Sequence, residues 1–137
     1  EHDCFSDNTH NSHYYDAQGI RNVYVGSYTR IDGSIVSGQS LSSLVREKSM
    51  EIDNELMSNL NSTMLEMAEL KTAADAGFKY DMMLESGNKS GEALIMGAVN
   101  ALVTQTKSIE RAVAVLGIQE IEFEGSDSLD DPNSVFQ

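Results

Sequence analysis

The sequence predicts an all-α fold, a helical bundle of about three long helices with one or two short ones. Three observations carry this expectation. Apolar residues recur at steps of three and four over two long stretches, from about 50 to 71 and from 90 to 116. The single proline stands at position 132, so no helix before it meets a proline break. No two segments alternate convincingly as a pair of strands.

The elements follow in order. Ser6, Asp7 and Asn8 are all good N-cap residues, and a helix is expected from about 9 to 28. Ala17, Ile20, Val23, Tyr24 and Tyr28 form its apolar stripe, weakened by Gly19 and Gly26. The run TRIDGSIVSGQS, 29–40, is rich in glycine and serine and reads as a loop. Ser40 is placed to cap a short helix, LSSLVREK, and Ser49 to cap a long one ending near Lys71. In the long helix Ile52, Leu56, Leu60, Thr63, Met67 and Leu70 make one stripe. TAADAGF is expected to break it, and KYDMMLES to form a further short helix. Over 90–116 the residues Ile95, Val99, Leu102, Thr106, Ile109, Val113 and Leu116 alternate steps of four and three, the seam of a bundle helix. From Gly117 the chain reads as an acidic extended tail, giving a division into a bundle at 1–116 and a tail at 117–137.

Composition bounds the function. The chain has 137 residues and a formal net charge of −13. An acidic chain lacks the basic face that binding to nucleic acid or to an anionic membrane surface requires, so neither partner is expected. The charge keeps the protein in solution and permits attraction of cations. No apolar run approaches the ~20 residues of a membrane span. The one cysteine, Cys4, excludes an internal disulfide. The chain has no signal peptide, and its start at Glu1 suggests a processed or truncated piece of a longer protein. Met50, Met57 and Met64 stand seven apart with Met67 beside the last. That spacing marks one helix face, and core packing explains it better than thioether copper ligands. No GxSxG elbow, P-loop, GxGxxG or HExxH occurs, and no catalytic residue is assigned.

The chemically loaded region is the N-terminal segment. It holds His2, His10 and His13 with Cys4, Glu1, Asp3 and Asp7. Imidazole, carboxylate and thiolate are transition-metal ligands, and an open His/carboxylate site suits iron. On a helix, His10, His13 and Asp16 recur every three residues, so neighbours share a face and two of them could grip one metal, closed by Glu1 or His2 from the preceding loop. The plainer reading is a solvated, helix-capping stretch, with Ser6, Asp7 or Asn8 as cap.

The strings EHDCFSDNTH (1–10), GIRNVYVGSY (19–28) and GQSLSSLV (38–45) resemble the imelysin family, whose usual form of the first is close to EHSCFSDNTH. The resemblance implies a protein of two helical bundles in tandem, of which this chain would be the C-terminal one. It implies bacterial export to the periplasm or outer membrane, often as a lipoprotein, and a part in iron acquisition. The family is classed with metallopeptidases because of a GxHxxE motif in its N-terminal bundle, and its proposed site lies where the bundles meet. No GxHxxE occurs in this chain, so that motif would come from the partner bundle. Asp3 stands where serine is usual, and His13 matches no fixed histidine of the family. The residues carried over are therefore Glu1, His2, Ser6, Asp7, Asn8, Thr9 and His10. His2, His10, Glu1 and Asp7 are the expected metal-binding set, with Ser6, Asn8 and Thr9 shaping the loop or capping the helix. The cargo expected is iron or haem, with zinc as the alternative. The competing functions are a zinc peptidase half, inactive alone for want of a general base beside its metal, and a non-catalytic interaction module.

Overall fold

The computed structural model describes residues 3 and 5–118. Among these residues five helices and one small hairpin follow in the order α1 (Thr9–Val25), β1 (Ser27–Thr29), β2 (Ile35–Ser37), α2 (Leu41–Lys48), α3 (Met50–Asp75), α4 (Tyr80–Met83) and α5 (Lys89–Val115). The all-α bundle is thus as expected: α3 is the central helix, and α1 and α5 pack along it. Cross-contacts pair His10 with Asp75 and Tyr24 with Asp53, so α1 runs antiparallel to α3. Asn59 with Ser108 and Glu55 with Arg111 set α5 antiparallel to α3 as well. The short α2 touches all three long helices and fills one end of the layer.

Local signals explain most boundaries. Ser40 Oγ accepts from the Ser43 N–H and Ser49 Oγ from the Ile52 N–H, so both anticipated serine caps form. Arg46 and Lys48 lie in the last turn of α2, and Glu51 and Asp53 in the first turn of α3, each favourable to the helix dipole. The stripe expected on α3 is the one buried: Leu56, Leu60, Thr63, Met67 and Leu70 are all inaccessible.

Several expectations need correction. The 29–40 stretch is not all loop: β1 and β2 pair antiparallel with Tyr28 opposite Val36. Tyr28 and Thr29 with Ile35 and Val36 have strand-forming side chains. The Asp32–Gly33 dipeptide makes the turn, with Gly33 at φ 82° and the Asp32 carboxylate accepting from the Ser34 N–H and Oγ. Those two bonds hold the Asp32 carboxyl below its ordinary pKa. Second, α3 runs on to Asp75, since TAAD consists largely of good helix formers and the break comes only at Gly77. Third, the seam of α5 is shifted. The buried positions are Ile95, as expected, with Gly91, Ala98, Gln105, Ser108 and Ala112, which are small or polar, while Val99, Leu102 and Ile109 flank them half-buried. Of the methionine series, Met67 is buried and Met57 and Met64 pack at the edge of the core, but Met50 is exposed. The tail beyond Ile118 lies outside the described residues.

Helix α1 stops at Val25, short of Tyr28, because Gly26 takes the left-handed conformation with φ 67° and its N–H closes on the Asn22 carbonyl. The same glycine accepts from the Gly38 N–H, so it ends the helix and closes the hairpin. A Cβ there would stand 2.8 Å from the Gln39 carbonyl oxygen and 2.9 Å from Ser40 Cβ. Gly26→Ala is expected to destabilise the chain by about 2 kcal/mol, from the left-handed backbone and this clash together. Chemical denaturation would check it; an unchanged midpoint would mean that the hairpin does not anchor α1.

Candidate functional site

The segment before α1 is folded back onto the helix start. Asp3 anchors it three ways: its N–H donates to Thr9 Oγ1 at 3.0 Å, its carbonyl accepts from the Asn8 N–H, and its carboxylate accepts from Ser12 Oγ. Ser6 Oγ lies 3.4 Å from the same Asp3 carbonyl. Asp7 takes a positive φ of 51°, which turns the chain into the helix, and its carboxylate faces Lys79 Nζ at 3.5 Å. Asn8 occupies the N-cap position, yet its side chain accepts from the Asn11 side chain at 2.8 Å rather than from the backbone. Capping therefore does not account for Asn8, and Thr9, fully buried, serves as the anchor of the loop.

His10 is the focus of this arrangement. Its side chain is only 3% exposed. Nε2 stands 3.5 Å from Asp75 Oδ1 in the last turn of α3 and 3.2 Å from the Asn11 side-chain nitrogen. Nδ1 is buried and has no hydrogen-bond partner among the described residues. Asp75 is itself bound to Lys71 Nζ at 2.5 Å. The hydrogen bond from that lysine and its charge, helped by the charge of Lys79, hold the Asp75 carboxyl below its ordinary pKa and so ionised at neutral pH. An ionised carboxylate beside one ring nitrogen orients an imidazole and raises the basicity of the other nitrogen, the usual arrangement behind a metal-bound histidine. Nδ1 could hold a metal only in the tautomer that keeps the proton on Nε2, toward Asp75, and the Asn11 amide nitrogen, itself a donor, competes for that side of the ring.

Two of His10, His13 and Asp16 were expected to grip a metal, with Glu1 or His2 closing the site. His13 turns its ring edge-on to Tyr80, with centroids 5.5 Å apart, and Asp16 lies on the rim of a groove formed with other helices. Among the described residues no three His, Cys, Asp or Glu side chains come together as a metal site. Glu1, His2 and Cys4 lie outside the described residues. Sequence reasoning missed Asp75 and Lys71, since both fall where the helix was expected to fray.

A second polar cluster ties the other end of α1. Asp53, with no exposed surface, accepts from Tyr24 Oη at 2.9 Å, Ser42 Oγ at 2.6 Å and Arg46 Nε at 2.7 Å. Burial pushes its pKa up, but these hydrogen bonds and the Arg46 charge outweigh that and hold it low. Burial and the Asp53 bond together drive the Tyr24 phenol pKa upward, so the hydroxyl remains a donor.

Fold and site together define a helical bundle whose first helix opens on a pinned loop and a buried histidine backed by a carboxylate. The model of the imelysin peptidase family matches residues 1–109, most of the chain and all of the segment around His10. The chain belongs to the imelysin family. No curated protein matches it.

Proposed function

We propose that this imelysin-family chain binds iron, as the ion or an iron compound, in the periplasm or at the outer membrane. In this reading His10 is a ligand and the rest of the site comes from His2, Glu1 and Asp7 and from a second bundle carrying GxHxxE. The observation that supports the reading is the buried His10 ring, with Nε2 set against Asp75 and Nδ1 unpartnered among the described residues. A buried polar atom without a partner costs about 1–3 kcal/mol, which a bound metal would offset. The metal would be the cargo, and imidazole with carboxylate is a donor set that accepts iron. The free ion fits better than haem docked in an apolar slot, because neither His10 nor His13 lines the apolar groove beside α1. The reading is non-catalytic for this chain alone.

The test uses the full-length protein loaded with ferrous or ferric salt and measured by elemental analysis. His10→Ala is expected to abolish stoichiometric iron. Asp75→Asn, at a half-exposed position, is expected to weaken binding about 10–100-fold while leaving the circular dichroism spectrum unchanged. Full iron occupancy in both variants would overturn the assignment and leave the segment as an interface with the other bundle. Zinc retained in place of iron in competition would redirect it to the peptidase alternative.

A further inference from the structure

The helix layer has an unfilled corner. Helices α1 and α5 run parallel, each antiparallel to α3, and share no substantial contact with each other. In an up-down bundle a fourth helix lies between two such neighbours. Here α2 fills that place at one end only, being 8 residues long against 26 for α3. Beyond it lies a groove of about 520 Å³. Leu60 of α3 forms its floor, and Ile20 and Val23 of α1, Leu41 of α2 and Ile109 of α5 form its walls. Ile20 and Val23 were expected to face the core, but they are 44% and 67% exposed. Helix α1 therefore carries a second apolar stripe with nothing packed on it among the described residues.

The rim says what fits there. Asp16 makes no hydrogen bond or ion pair among the described residues, and Tyr15 beside it is 58% exposed. A carboxylate and an aromatic face together receive a lysine or arginine. The chain carries a net charge of −13, so a second copy would bring like charge to like charge, whereas a basic partner is drawn in. The walls are too open to enclose a small ligand, most of whose surface a binding pocket normally buries. An open apolar strip along a helix matches the helix-in-groove mode instead.

We propose that this groove docks an amphipathic helix whose apolar face is flanked by basic residues, with Asp16 pairing with one of them. The docked helix completes the bundle between α1 and α5. The site is separate from His10 and does not depend on the iron reading.

The test measures fluorescence anisotropy of three labelled designed peptides with the chain. One is an amphipathic helix flanked by lysines, one has the same apolar face flanked by glutamates, and one is a scramble of the first. The lysine-flanked helix is expected to bind saturably and at least about tenfold more tightly than either other peptide. Asp16→Lys is expected to abolish the preference for the lysine-flanked peptide. Val23→Glu is expected to abolish binding while leaving the circular dichroism spectrum unchanged, since the side chain is exposed. Absence of binding, equal binding of the scramble, or binding that survives Val23→Glu would overturn the proposal. So would sedimentation showing a dimer that Val23→Glu dissociates, which would assign the groove to a second copy.

Discussion

Asp53→Ala is expected to lower the stability of the chain by about 3 kcal/mol, a large share of what holds a domain of this size folded. The residue lies near the N-terminus of α3, inaccessible to solvent, and its two carboxylate oxygens collect bonds from three side chains on two other helices: Tyr24 on α1, Ser42 and Arg46 on α2. Its removal leaves the Tyr24 hydroxyl buried without its acceptor and breaks both polar ties from α2 to α3. Tyr24→Phe removes one bond while Ser42 and Arg46 still satisfy the carboxylate, so its cost is expected to be only about 1 kcal/mol. Urea denaturation separates the two; equal losses would mean that the network does not act through the carboxylate. The pH dependence has a defined sign. The folded-state pKa of Asp53 is depressed. Its contribution is therefore present above the ordinary carboxyl range, about pH 4, and is lost as the pH falls through the lowered folded value. Acid should unfold the wild type more steeply than Asp53→Ala.

Gly91→Val is expected to cost about 3 kcal/mol. Gly91 is buried in the first turn of α5, and a Cβ there would stand 2.3 Å from the Met83 carbonyl oxygen and 2.4 Å from its Cα. Both are backbone atoms and cannot swing aside, so α4 must lift from α5 and draw Met83 out of the core, where it is fully buried. Gly91→Ala meets the same clash but recovers up to ~1 kcal/mol of helix propensity, and should fall between. Ala93→Val, at an exposed position two residues on, serves as the control and should cost less than ~1 kcal/mol. If Gly91→Val and Ala93→Val have the same midpoint, the close approach of α4 is not a constraint.

The helices were legible because periodicity and serine caps are local signals. The stripe from Leu56 to Leu70 and the caps at Ser40 and Ser49 needed nothing from the rest of the chain. The hairpin carried a local signal too, the Asp32–Gly33 turn between β-branched residues, which the surrounding serines and glycines obscured. Other features are properties of the assembled fold. Burial of Asp53 depends on side chains 29 and 11 residues away. On α1 two apolar stripes compete, and only packing decides that Ala17 and Tyr24 turn inward while Ile20 and Val23 do not. The candidate site was legible in part. His10 and Thr9 stand out in the sequence, but the carboxylate behind His10 lies on another helix and no spacing rule reaches it.

Among the polar ties from α1 to α3 are His10 with Asp75, Arg21 with Asn61 and Tyr24 with Asp53. An interface of apolar side chains alone tolerates sliding by one turn. These ties fix the longitudinal register of α1 at both ends and near one of them, as a ruler is fixed by pins. From His10 to Tyr24 is fourteen residues, about 21 Å of helix. The depth at which the His10 ring sits against Asp75 is thus set partly by a carboxylate at the opposite end of the helix. Loss of iron in a variant identifies a ligand only where the far pins remain in place.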